Sequence, residues 1–159
     1  MDAPAERRAE LSATLLAAGR SLGNSSSMLV SACADRLGIH STDWGCVLLL
    51  AEADPEPLTA GQLAELTGLT TGAVTGVLDR CEKAGFLRRE RDPSDRRRVI
   101  VRLVPEAMTR IQPMFDGMIA DMLALQRDYS DDELAVVLDV ITRASEILRA
   151  HARRIRRGD

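Results

Sequence analysis

Leu63-Ala-Glu-Leu-Thr-Gly-Leu-Thr-Thr-Gly-Ala-Val-Thr-Gly-Val-Leu-Asp-Arg-Cys-Glu-Lys-Ala-Gly-Phe-Leu87 contains two helical patterns joined by a tight turn, and its reading decides the fold. Ala64, Gly68 and Val74 stand four and then six residues apart. A helix-turn-helix needs a small residue where its two helices cross, a residue tolerant of positive φ in the turn, and an apolar side chain that seats the second helix. This triplet meets all three needs. Upstream, Thr59-x-x-Gln62 is a capping box that starts the first helix, with Leu58 placed to pack on Leu63. The second helix begins at Thr70 or Thr71, puts Val74, Val77, Leu78 and Cys81 on one face, and stops at about Ala84, before Gly85.

The opposite face of that second helix carries Thr71, Gly72, Thr75, Gly76, Asp79 and Arg80. An ordinary solvated face uses Glu and Lys, whereas two glycines cost roughly 1 kcal/mol each relative to alanine. Small side chains near a helix N-terminus suit deep entry into a major groove, where threonines bond base edges or phosphates. Thr70, Thr71, Gly72, Ala73, Thr75, Gly76 and Arg80 are therefore the candidate DNA-contacting residues of this helix.

After Gly85 the apolar period shortens to two: Phe86 to Arg91, a turn at Asp92-Pro-Ser-Asp95, then Val99 to Leu103, which predicts two antiparallel strands joined by a basic loop. Arg88, Asp95, Arg96, Arg97 and Arg98 complete the candidate interface. Arginines at a hairpin tip fit a narrow minor groove, and Asp95 is spaced to hold the Arg97 guanidinium. The formal net charge is -3, yet residues 80 to 102 carry a local +5, which leaves about -8 for the rest. Positive charge gathered in one stretch of an acidic chain points to a single polyanion-binding face.

Outward from this centre the pattern is helical. Residues 4–37 form one long helix with a weak centre at Gly23-Asn-Ser-Ser-Ser27, a site for a bend or close packing. A second runs from Ser41 or Thr42, the N-cap candidates, to Ala53, and Asp54-Pro-Glu-Pro57 ends it. From Pro105 to about Arg127 a further helix turns Met108, Ile111, Met114, Phe115, Met118, Ile119, Met122 and Leu125 inward, with Pro113 predicting a kink or a late start. Ser130-x-x-Glu133 is a second capping box, opening a last helix whose Arg149–Arg157 end reads as a solvated or frayed tail. The expected fold is mainly α with a small β-wing: one domain over residues 1–159, with a winged helix-turn-helix lobe at 42–104 and dimerisation helices at 4–37 and 105–157.

The 63–87 stretch together with Asp92-Pro-Ser-Asp-Arg-Arg-Arg-Val99 resembles the MarR family of bacterial transcription regulators over nearly the whole chain. The resemblance implies a homodimeric, ligand-responsive repressor that binds an inverted-repeat operator in double-stranded DNA, with half-sites roughly 34 to 36 Å apart. It implies that Arg97 reaches the minor groove and that Arg80 contacts phosphate or braces the wing. It also implies a small aromatic or phenolic effector near the junction of the first two helices, where His40, Thr42 and Trp44 lie. One departure is Val104, where the family usually has a threonine before the proline, so a cap worth about 1 kcal/mol is missing.

Rival functions fit less well. No nucleophile elbow, phosphate loop or paired His and carboxylate supports an enzyme. Two histidines, His40 and His151, with no Cys/His cluster give no metal site, and no cofactor is expected. Cys33, Cys46 and Cys81 sit among apolar neighbours, which favours small core residues over a redox-responsive regulator. A winged-helix module that binds protein is the remaining alternative. With no apolar leader and no long apolar run, the expected place is the cytoplasm, at the nucleoid.

Overall fold

The computed structural model describes residues 3–93, 95 and 98–158. Along the chain these form α1 (Ala3–Leu37), α2 (Ser41–Ala53), β1 (Leu58–Thr59), α3 (Ala60–Thr67), α4 (Thr71–Lys83), β2 (Leu87–Arg91), β3 (Val99–Leu103), α5 (Pro105–Gln126) and α6 (Asp131–Arg157). Two compact units result, residues 1–104 and 105–159. Among the described residues no helix is long and apolar enough to cross a membrane.

In the first unit the C-terminal turns of α1, through buried Cys33 and Ala34, lie against α2. Trp44, Cys46, Val47 and Leu50 of α2 share a core with Leu63 of α3 and with Val74, Val77, Leu78 and Cys81 of α4. Each fully buried large side chain contributes about 1.5–3 kcal/mol, so the helix-turn-helix is held by α2 as much as by its own two helices. The capping box at Thr59 forms as expected: its hydroxyl accepts from Gln62 N at 3.2 Å, and its own N–H donates to Gln62 Oε1 at 2.8 Å. Gly68 ends α3 in the left-handed region at φ 68°, the conformation the turn demanded.

The sheet has three strands, one more than the hairpin expected. β3 is central, pairing antiparallel with β2 from Leu87↔Leu103 to Arg91↔Val99, and with β1 through Leu58↔Val101 and Thr59↔Ile100. A strand of two residues leaves no alternation to read. Its effect is to fasten the start of α3 to the root of the wing.

Other details differ from expectation. The N-cap of α2 is His40, extended at φ -72°, ψ 149° and making no side-chain cap bond, so Ser41 and Thr42 already lie inside the helix. Helix α1 continues unbroken through Gly23, where an added Cβ would meet no atom of another described segment within 4 Å. Pro113 sits inside an uninterrupted α5 that starts at Pro105. The Arg149–Arg157 segment is a largely exposed helix, as expected of a solvated end, and is not frayed: it stays helical to Arg157 and is closed by Gly158 at φ 78°. Of the α5 residues expected inward, Ile111 is buried but Met108, Met118, Ile119, Met122 and Leu125 are exposed.

At the start of α6, Ser130 donates from both its backbone N–H and its hydroxyl to Glu133 Oε2, each at 2.8 Å, and these bonds hold the Glu133 carboxyl below its ordinary value. A carboxyl held low by the fold stabilises above its unfolded pKa, and that gain is lost as pH falls through the folded value. Deleting an N-cap hydroxyl costs about 1 kcal/mol. Ser130→Ala is therefore expected to lose that much at neutral pH in urea unfolding, with the gap from wild type shrinking once the pH drops below the usual carboxylate range.

Candidate nucleic-acid interface

Helix α4 presents two chemically opposite faces. Val74, Val77, Leu78 and Cys81 are buried, while Thr71, Gly72, Ala73 and Thr75 are exposed and no acidic residue stands in the first turn. The partial positive charge of a helix N-terminus is thus offered to an anion without competition from a carboxylate. Thr70 is the N-cap, its hydroxyl accepting from Ala73 N at 3.2 Å. Its role is to start the helix, and Thr71 and Thr75 are the hydroxyls set along the exposed face. The Thr75 hydroxyl donates to Thr71 O at 3.0 Å, leaving its lone pairs outward.

The two glycines of this face differ. A Cβ on Gly72 would meet nothing within 4 Å, whereas one on Gly76 would stand 3.4 Å from Arg80 Nη1. Gly72 leaves room for a close approach from outside. At Gly76 the room borders the chain's own guanidinium.

Arg80 is tied to a residue that sequence reasoning missed. Its Nε donates to Asp43 Oδ2 at 2.7 Å and its Nη2 to Oδ1 at 2.6 Å, a bidentate pair between α4 and the first turn of α2. Asp43 is 1% exposed, while the Arg80 side chain remains 51% exposed. Hydrogen bonding to Asp43 raises the already high pKa of Arg80. The two stand 37 residues apart, and no local pattern in one sequence links them.

Arg89, one of the arginines flanking the hairpin, is turned inward to α4. From β2 its Nη1 reaches Asp79 at 2.6 Å and Glu82 at 3.2 Å, its Nη2 donates to Thr75 O at 3.2 Å, and its backbone N–H donates to Glu82 Oε1 at 3.1 Å. The two acids of α4, Asp79 and Glu82, thereby share one guanidinium, and the wing strand is fastened to the helix. Arg88 pairs with Glu90 on the same strand, and Arg102 donates to Pro55 O at 2.7 Å. Arg80, Arg88, Arg89 and Arg102 of the basic stretch are thus each engaged by a partner inside the fold.

At the wing, Asp92 N–H donates to Arg98 O at 3.0 Å and Arg98 N–H to Asp95 O at 2.9 Å, which closes the turn; the Arg98 guanidinium lies 3.7 Å from Asp92. Arg96 and Arg97 lie outside the described residues, and with them the expected Asp95–Arg97 pairing. Near the start of α2, His40 and Thr42 are exposed but Trp44 is 0% exposed. Trp44 is thus a core residue of this unit, not the open wall of an effector cleft. An aromatic effector would reach its ring only by opening the core.

All three cysteines are buried thiols. Burial pushes each of them up; for Cys81, burial and then the nearby Asp43 carboxylate bring it to about 12. A redox-active cysteine needs the opposite shift, toward thiolate. The folded protein is therefore expected to leave a thiol-specific reagent unreacted at neutral pH, with three equivalents consumed on unfolding in denaturant. Fast reaction of a native thiol would contradict this account.

Comparison with known proteins places this geometry. The MarR family model matches residues 37–98. YcgE of Bacillus subtilis strain 168, an uncharacterized HTH-type transcriptional regulator, is 36% identical over 149 residues, spanning 94% of this chain and 96% of its own. YetL of the same organism, an HTH-type transcriptional repressor, is 27% identical over 96 residues, 60% of this chain and 58% of its own. Among solved structures, a point mutant of S. aureus MepR bound to an oligodeoxyribonucleotide matches with a TM-score of 0.56 at 16% identity, over 84% of this chain and 97% of that one, a likeness of fold. The chain belongs to the MarR family of winged helix-turn-helix transcription regulators, DNA-binding proteins and not enzymes.

Proposed function

We propose that the protein acts as a homodimer that sets two α4 helices into successive major grooves of an inverted-repeat operator, with the wings lying over the flanking minor grooves, and that it represses transcription there. The observation that carries the dimer is α6. Twenty-seven residues long, it buries none of its described side chains within the chain. Leu148 is 71% and Ile155 76% exposed, and Val137, Leu138 and Ile141 are exposed beside them. Monomeric proteins rarely leave so extended an apolar surface uncovered. A second copy, with the same stripe, covers it by two-fold symmetry.

For DNA contact the support is the bare N-terminal face of α4 and the arginine-rich sequence of the turn between β2 and β3. Thr71, Gly72, Ala73 and Thr75 are the residues proposed to meet bases and phosphates, with Arg80 and Arg98 at the edge and Arg96 and Arg97 at the wing. Repression is the sense we favour, because YetL carries that description and a dimer seated across a promoter excludes other proteins from it.

Selection of bound duplexes from a random pool tests this directly. The expected product is a dyad-symmetric site with half-sites about one helical turn apart. Affinity should fall steeply with salt, and Arg97→Ala should remove roughly one unit from the slope of log affinity against log salt. A salt-insensitive interaction, or none with any duplex, would leave a protein-binding module as the better reading. Leu138→Glu with Leu148→Glu is expected to give a folded monomer by light scattering, with DNA affinity lowered at least roughly tenfold through the loss of the second half-site. A reporter driven from the selected site should rise when the protein is removed.

A further inference from the structure

We propose that Asp43 is a positioning residue for DNA recognition: from its buried place on α2 it holds the Arg80 guanidinium across Gly76, so that the unused edge of that arginine meets the duplex in a set direction. The proposal rests on the reading that α4 enters the groove.

The bidentate pair occupies Nε–H and one Nη2–H of Arg80. Both Nη1 hydrogens and the second on Nη2 take no acceptor among the described residues, and half of the side chain is open to solvent. Nη1 lies 3.4 Å from where a Cβ on Gly76 would stand, one turn toward the N-terminus of α4. Helical side chains lean in that direction, which here is toward the exposed Thr71–Thr75 face. A free arginine must give up rotamer freedom when it binds, and a planar fork gripped on one side gives up less. Asp43 is itself held, its backbone carbonyl accepting from Cys81 Sγ at 3.7 Å and its carboxylate standing in the first turn of α2, where the helix dipole favours negative charge.

Charge and position predict opposite outcomes when Asp43 is neutralised. Asp43→Asn makes each subunit one charge more positive, so attraction for phosphate alone predicts binding to any duplex that is equal or tighter. Loss of a positioned donor predicts weaker binding to the operator only. The experiment measures affinity of the dimer for the selected operator and for a scrambled duplex of equal length, for wild type, Asp43→Asn, Arg80→Ala, the double variant and Gly76→Ala. Expected for Asp43→Asn is a roughly tenfold fall in operator affinity, with scrambled-duplex affinity unchanged or higher. The double variant should bind no worse than Arg80→Ala, since Asp43 acts only through that arginine. Gly76→Ala, whose added methyl crowds Nη1 while favouring the helix, should lower the operator ratio and keeps the test alive if Asp43→Asn does not fold. A wild-type ratio in both Asp43→Asn and Gly76→Ala, or effects of Asp43→Asn and Arg80→Ala that simply add, overturns the proposal alone. Equal wild-type affinity for operator and scrambled DNA overturns it together with the operator reading.

Discussion

Holding a helix by one face so that its other face can stay bare is the constraint on which this protein turns. Thirteen residues of α4 expose threonine, glycine and alanine at their N-terminal end, side chains too small to anchor anything. Its placement therefore depends on Val74, Val77, Leu78 and Cys81 packing into the first unit's core with Trp44, Cys46 and Val47 of α2. Apolar packing sets depth and tilt but is weakly directional. Directional restraint comes from two arginines used in opposite ways, Arg80 reaching from the helix to Asp43, and Arg89 reaching to the helix from β2.

The same constraint governs how charge is distributed. A count along the chain gives the 80–102 stretch a net charge but not which of its arginines are engaged by other residues. In the fold, Arg89 bridges Asp79 and Glu82, Arg88 and Arg102 share Glu90, and Arg80 is bound on one edge. Among the described residues, what remains for a polyanion includes the N-terminus of α4 and the outer edge of Arg80. That arrangement favours contacts made at defined points over diffuse attraction, which suits an acidic protein that must ignore most of the DNA around it.

The second unit is built by a different logic. Helices α5 and α6 are long, joined through the capping box at Ser130, and amphipathic, yet α6 buries none of its described side chains. Periodicity alone counts Met118, Met122, Leu138 and Leu148 as core, and each is a core-type residue. All four are exposed, and the proposed homodimer is what would give them a core. A reading of one sequence assigns such residues inward because nothing in the pattern distinguishes an intramolecular partner from an intermolecular one.

By itself the sequence determined whatever depends on neighbours in the chain: the extent of the helices, both capping boxes, the left-handed turn at Gly68, the buried face of α4 and the β-hairpin beside it. These follow from dihedral preference, capping chemistry and a repeat of two or about 3.6 residues, all local. Only the tertiary structure decided which charges face each other. The Asp43–Arg80 pair, the Arg89 strap and the third strand at Leu58–Thr59 join segments from seven to some forty residues apart, and Trp44 became core instead of cleft wall. Such pairings depend on how the helices pack around a shared core, and packing leaves no periodic trace in a single chain.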